Sequence, residues 1–172
     1  MTTKDIETPR LIIRSTREAD GPFCLSIWLD PEMGKYLSDP PLELADEREL
    51  NFAVGIEEQE GWYPYVAVSK ETGEGVGTCS AVPMEDPKHW DLGYCVHKKY
   101  WRKGYGFEMV KALIGFGYEN GARIFTANVA RENAGSNALA RKLGFHAAGE
   151  SSFQKRGTDI VYDEIIYRLE LE

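Results

Sequence analysis

Trp90-Asp91-Leu92-Gly93-Tyr94-Cys95-Val96-His97-Lys98-Lys99-Tyr100-Trp101-Arg102-Lys103-Gly104-Tyr105-Gly106 is the stretch on which the fold of this 172-residue chain turns. Its first half, aromatic and β-branched after a polar loop, predicts a strand. Its second half is a basic turn punctuated by glycine. A helical pattern follows at once in Phe107-Glu108-Met109-Val110-Lys111-Ala112-Leu113-Ile114. Strand, glycine turn and helix together make an anion cradle. Free N–H groups point outward at a helix start, and the helix dipole favours negative charge there. Gly104 and Gly106 let the backbone approach a phosphate with no Cβ in the way. Arg102 and Lys103 add formal positive charge. The spacing is not Gly-x-Gly-x-x-Gly, and no Gly-Lys-Ser/Thr closes it as in a P-loop. By itself the same turn also suits a plain strand-to-helix connection.

A second stretch narrows the choice: Asn133-Ala134-Gly135-Ser136-Asn137-Ala138-Leu139-Ala140-Arg141-Lys142-Leu143-Gly144-Phe145. Arg102-Lys103-Gly104-Tyr105-Gly106, then Asn133 with Ser136 and the closing Leu143-Gly144-Phe145, resemble the two signature motifs of the GNAT acyl-CoA N-acyltransferases. Thr8-Pro9-Arg10-Leu11-Ile12-Ile13-Arg14 and the Gly93-Tyr94 strand resemble the RimJ/RimL-type branch, which includes ribosomal-protein N-terminal acetyltransferases. The resemblance covers nearly the whole chain, with both motifs in order at a spacing one domain accommodates.

Length predicts a single domain over residues 1–172 with a sizeable core. Hydrophobic content of 42% and charged content of 28% place it among globular chains. No apolar run approaches the ~18 residues of a membrane span, and the N-terminus is polar. The expectation is a cytoplasmic protein without membrane association. Cys24, Cys79 and Cys95 have no metal-ligand spacing and are expected to be reduced, with no metal bound. A net charge of −8 argues against nucleic acid as a partner and suits a cationic substrate such as an amine.

Along the chain, Leu11 to Arg14 predicts a first strand. Ser15 with Glu18 forms a capping-box pattern before a short helix whose apolar side carries Phe23, Ile27 and Trp28. A second helix is expected from Asp46, with Leu50, Ala53 and Val54 inward. Tyr65–Val68 and Val76–Val82 predict strands joined by the turn Glu71-Thr72-Gly73-Glu74-Gly75. A helix then ends near Asn120-Gly121, Ile124–Val129 is a strand, and the Asn133 helix stops at Gly144. Ala147–Lys155 and Ile160–Leu171 predict a closing antiparallel hairpin. The class is α+β, a mixed and mostly antiparallel sheet with helices on both faces. The resemblance implies the GNAT fold, in which two parallel strands, here Asp91–His97 and Ile124–Val129, splay apart to admit the cofactor's pantetheine arm.

The resemblance also implies the site. Pyrophosphate would rest on the amides of Arg102, Lys103, Gly104, Tyr105, Gly106 and Phe107. Pantetheine would pair with the backbone of Cys95 and Val96, which would also offer an N–H to the thioester oxygen. Many family members carry Gln or Arg where this chain has Trp101, a branch feature. Asn133 has two readings, a helix N-cap or, by resemblance, a pantetheine contact. Asp91, on the strand leading into the cradle, is the candidate base. Its alternative is a plain surface carboxylate. His89, His97 and His146 have no partner at catalytic spacing, and His97 is a reserve base. The tyrosine that many GNAT enzymes use to protonate the departing sulfur is replaced here by Ala140. Ser136 is the candidate in its stead, with a helix-start hydrogen bond as the plainer reading.

These features predict an acyl-CoA-dependent N-acetyltransferase, moving an acetyl group from acetyl-CoA to a primary amine by direct attack. The acceptor would be a protein N-terminus or a small molecule. The competing classes are a non-catalytic acyl-CoA-binding module and a nucleotide-phosphate binder.

Overall fold

The structure, a computed structural model, describes residues 4–47 and 64–172. Eight strands form one sheet: β1 (Ile6–Glu7), β2 (Leu11–Ser15), β3 (Pro64–Ser69), β4 (Gly75–Pro83), β5 (His89–Val96), β6 (Ile124–Ala130), β7 (His146–Gln154) and β8 (Val161–Glu170). Their order across the sheet is β1-β2-β3-β4-β5-β6-β8-β7. Every neighbouring pair is antiparallel except β5 and β6. Among the described residues there are three α-helices: α1 (Gly21–Trp28), α2 (Tyr105–Glu119) and α3 (Ala134–Lys142). The expected mixed, mostly antiparallel α+β sheet is therefore present. The helix expected from Asp46 falls almost wholly outside the described residues.

Period-2 alternation assigns the faces. Leu11, Ile13, Tyr65, Ala67, Cys79, Ala81, Trp90, Leu92, Phe125 and Tyr167 pack with Met109, Val110, Leu113 and Ala140. This core lies between the sheet and helices α2 and α3. The opposite face receives α1, which buries Cys24 and Ile27. There Trp28 Nε1 donates to Thr78 Oγ1 at 2.9 Å. Phe23, expected inward, is only half-buried.

Local chemistry moved several boundaries. The first helical turn has its N-cap at Arg17 rather than at Ser15. There Asp20 Oδ2 accepts from the Arg17 N–H at 2.8 Å and caps a single 3₁₀ turn, Glu18–Asp20, ahead of α1. The N-terminal strand is preceded by β1, too short to show a period in sequence. His89 opens β5 rather than lying in the loop before it, and His97 falls beyond the strand, where Nδ1 accepts from the Lys99 N–H. Helix α2 starts at Tyr105, two residues before its apolar period becomes visible.

One buried cation fixes the wall of the future site. Lys155, at the end of β7, donates to the carbonyls of Gly34 at 2.9 Å, Leu37 at 2.9 Å and Asp39 at 2.6 Å. Three carbonyl dipoles satisfy an ammonium taken out of water, which could not be buried alone. The segment 34–39 is thereby held against the β7–β8 hairpin.

On the opposite edge Arg14 grips Asp20 with two hydrogen bonds, Nη1 to Oδ2 at 2.7 Å and Nη2 to Oδ1 at 2.9 Å. Burial alone would raise the Asp20 carboxyl, but the bonds from Arg14 and the Arg17 N–H hold it below its ordinary value. Asp20→Asn is expected to cost about 1.5–3 kcal/mol at neutral pH, the range for hydrogen bonds to a charged group. A depressed carboxyl contributes in full above its unfolded value of about 3.9 and is lost as pH falls through the folded value. Urea titrations of both proteins at about pH 7 and about pH 2 check this. The stability gap should close at the acidic pH, and a gap of equal size there would refute the pairing.

Candidate active site

The site begins where β5 and β6 part. They share three rungs, His89↔Ile124, Trp90↔Phe125 and Asp91↔Thr126, and then separate. Each keeps its outer neighbour throughout. β5 pairs with β4 up to Gly77↔Val96, and β6 pairs with β8 up to Ala130↔Glu164. The gap is therefore a bend between two intact half-sheets. Residues on α3 hold its far side. Buried Asn137 donates to the Ala130 and Asn133 carbonyls at 3.0 and 2.7 Å, and accepts from Tyr167 Oη at 2.8 Å.

The inner edge of β5 has backbone groups turned into this gap. His97 N–H donates to Val76 O at 2.8 Å, so by alternation Val96 and Tyr94 face the opening and Cys95 faces β4. A Cβ on Gly77 would lie 2.4 Å from Cys95 O, which agrees. Of the two backbones expected to pair with a ligand, only that of Val96 is on the open side. Its carbonyl already accepts from Trp101 Nε1 at 2.6 Å, leaving its N–H on that side.

The anion cradle follows. Gly104, the N-cap of α2, has φ +79°, and Arg102 has φ +60°. The glycine adopts that conformation freely. The arginine does so at a cost of order 1 kcal/mol, the kind of strain kept at functional turns. The N–H groups of Tyr105, Gly106 and Phe107 lie in the first helical turn, where no intrahelical acceptor exists. Gly106 has a further reason to be glycine, since a Cβ there would come within 3.1 Å of both Leu139 Cδ1 and Tyr94 Cε2.

The N-terminal Thr8-Pro9-Arg10 motif braces this turn from behind. Arg10 Nη1 donates to Lys103 O at 2.8 Å, and its guanidinium lies 3.9 Å from the Tyr105 ring centroid. Arg10 Nε and N–H donate to Glu108, as does Thr8 Oγ1 at 2.6 Å. Burial would raise the Glu108 carboxyl, yet these bonds hold it low. The negative charge in the first turn of α2 is thus neutralised away from the cradle.

A cavity of about 620 Å³ runs from the cradle to the segment around Met33 and Tyr36. It brings together Cys95, Val96, Arg102, Gly104, Tyr105, Gly106, Phe107, Asn133 and Ser136 from the sequence-derived set. Lys103 is not on its wall, and its ammonium lies 5.9 Å from the Tyr100 ring centroid. Asp91 is not on it either. Lys142, unpredicted as a site residue, is. It sits 4.6 Å from the Phe107 ring centroid and supplies a second cation beside Arg102. In sequence it is only the basic last turn of a helix. Asn133 is the N-cap of α3, its Oδ1 accepting from Ser136 N–H at 3.2 Å. Its Nδ2 remains for another contact. Ser136 is not spent on capping, since its Oγ accepts from Tyr94 Oη at 3.0 Å.

Asp91 sits on the last shared rung, and its side chain lies on the face of α1. Thr126 Oγ1 donates to Asp91 Oδ1 at 2.7 Å and, its proton so used, accepts from His89 Nε2 at 2.9 Å. Burial pushes the Asp91 carboxyl up, and the Thr126 hydrogen bond pulls it partly back. His89, which had no partner at catalytic spacing in sequence, gains one here. His97 stacks on Phe23 with ring centroids 6.3 Å apart, outside the cavity. No group of metal-ligating side chains exists among the described residues.

A family profile described as the acetyltransferase (GNAT) domain matches residues 10–146, which contain the cradle, the split and both sequence motifs. The chain belongs to the GNAT acetyltransferase family. A relative in Bacillus licheniformis, the uncharacterized N-acetyltransferase p20, is 29% identical over 147 residues, covering 83% of this chain and 82% of its own. The crystal structure of a GNAT-family acetyltransferase from Bacillus anthracis superposes with a TM-score of 0.81 at 21% identity, covering 97% and 98% of the two chains. A ribosomal-protein-alanine N-acetyltransferase from Brucella melitensis superposes at 0.70 with 25% identity, covering 92% and 99%.

In this GNAT domain the Thr126 hydroxyl is the group that restrains Asp91. Thr126→Val keeps the shape and removes the donor, so the Asp91 carboxyl should titrate at higher pH than in the wild type. Carbon-13 NMR titration of the aspartate carboxyls reads this without an activity assay. An unchanged or lowered Asp91 value would sink the assignment of that hydrogen bond.

Proposed function

We propose that this GNAT domain transfers an acetyl group from acetyl-CoA to a primary amine by direct attack of the amine on the thioester. The observation that carries the reading is one continuous cavity joining the free amides at the start of α2 to the open edge of β5. A pyrophosphate placed on those amides, between Arg102 and Lys142, directs a pantetheine-length arm along the edge of Val96. Acetyl-CoA supplies the activated acyl group. The chain supplies position, an N–H at Val96 for the charge that develops on the thioester oxygen, and the handling of protons.

The amine approaches from the face of α1, where Asp91 lies. An ordinary carboxylate, near 3.9, takes a proton poorly from an ammonium near 10 or an α-ammonium near 8. Burial narrows that difference for Asp91. The carboxylate also attracts the ammonium before it loses its proton. Ser136, at the positive end of α3, donates to the departing sulfur. Direct attack is favoured over an acetyl-cysteine route by the state of Cys95. Burial pushes that thiol up to about 12, and its Sγ is occupied with Met33 O at 3.4 Å. A thiol held neutral is a poor nucleophile.

The RimJ/RimL-type motif and the ribosomal-protein-alanine N-acetyltransferase among the structural relatives support an α-amine at a protein N-terminus as acceptor. Small-molecule amines share the chemistry. An acceptor screen with acetyl-CoA, read as free thiol release, discriminates them. Thiol release that no peptide or amine in the panel accelerates would mean an acyl-CoA-binding module.

Gly104→Asp puts bulk and negative charge into the cradle. Its Kd for acetyl-CoA should rise at least about tenfold, or roughly 1.4 kcal/mol. Calorimetry on the folded variant showing wild-type affinity would falsify the placement of the pyrophosphate.

Asp91→Asn should lower kcat by roughly 10²-fold while the Kd for acetyl-CoA stays unchanged. The deficit should shrink at high pH, where the amine deprotonates unaided. A wild-type rate across the pH profile would assign proton removal to solvent.

A further inference from the structure

Tyr94 has no role in the reading above, yet it stands at its centre. Its ring lines the cavity, and its phenol donates to Ser136 Oγ at 3.0 Å. The ring cannot drift. Gly106 lies so close that its own Cβ would meet Tyr94 at 3.1 Å, and Tyr94 is held in register opposite Cys79 of β4. Ser136 is held at its other end too, with its N–H on Asn133 Oδ1. A serine hydroxyl has one proton, two acceptor positions and a freely rotating O–H. With one acceptor position taken by the phenol, the orientations open to its own proton are restricted. Among the described residues no protein acceptor takes that proton.

We propose that Tyr94 is the positioning residue for thiolate release, holding the Ser136 hydroxyl so that its proton points into the cavity at the leaving sulfur. This rests on the reading of Ser136 given above. As the acceptor nitrogen bonds the carbonyl carbon, the C–S bond breaks and its electron pair stays on sulfur. The Ser136 O–H then hydrogen-bonds to that sulfur, and the proton surrendered by the nitrogen balances the charge. Tyr94 gives up no proton. A phenol near 10 is a weaker acid than a thiol near 8.5, so transfer from it to a thiolate runs uphill. Burial raises the Tyr94 phenol further, which keeps it a neutral donor.

Tyr94→Phe keeps the ring and removes only the donor. Expected is a fall in kcat of about 3- to 10-fold, what an ordinary net hydrogen bond gives, with an unchanged Kd for acetyl-CoA and unchanged thermal unfolding. In a Ser136→Ala background the same change should alter kcat by less than about 1.5-fold, because the group it acts through is gone. Equal losses in both backgrounds, a raised Kd with normal kcat, or no effect of Tyr94→Phe while Ser136→Ala is slow would each overturn the proposal for Tyr94 alone. A wild-type kcat in Ser136→Ala overturns the serine reading and this proposal with it.

Discussion

Everything at this site depends on how few rungs β5 and β6 share. A parallel pair normally zips along its length because every unpaired N–H and C=O is costly. Here pairing stops at Asp91↔Thr126. The cost of opening is met locally. The Val96 carbonyl takes the Trp101 indole, the Ala130 carbonyl takes Asn137, and each strand keeps its outer partner. The short β5 edge facing the cavity is left without a partner strand. A ligand with amides of its own completes that edge as another strand would.

The cradle illustrates the division of labour between backbone and side chain. The groups that face an anion are amides at a helix start, which any residue supplies. The side chains that set their position lie elsewhere in sequence. Arg10 reaches over from the N-terminal segment to the Lys103 carbonyl, while Thr8 and Arg10 draw the Glu108 carboxylate aside. A motif close to residue 10 and one close to residue 104 are thus one device. Gly104 is needed for its conformation, Gly106 for the room it leaves to Tyr94 and Leu139.

The sheet also separates two electrostatic jobs. On the side of α2 and α3 lie Arg102, Lys142 and the positive ends of two helices, suited to phosphate. On the side of α1 lie Asp91 and the Thr126–His89 chain behind it, suited to an ammonium. Among the described residues the gap between β5 and β6 lies between these two faces. Lys155, by pinning residues 34–39, keeps the cavity wall at Met33 and Tyr36 in place.

Local order carried far in the sequence. The alternation in Trp90–Val96, the 3.6-residue period after Gly106, and the caps at Asn133 and Gly144 identified strands, helices and the cradle, because those signals come from neighbours a few residues apart. The α+β class and the GNAT family followed from two motifs in order. Other features had no local signal. Asp20 caps the turn that begins at Arg17 because Arg14 and the Arg17 N–H meet it in space. Cys95 was nominated beside Val96, but only strand pairing decides which backbone turns to the gap. Lys103 looked equal to Arg102 until the turn aimed it at Tyr100, and Lys142 joined the cradle from 38 residues beyond Gly104 in the chain. His89 and Tyr94 acquired partners 37 and 42 residues away. The sequence by itself determined most of the elements, the glycine turn that opens α2 and the family, since backbone propensity and capping are local. The tertiary structure alone decided which side chains face each other across the split, because hydrogen bonds and burial depend on distances that chain order does not encode.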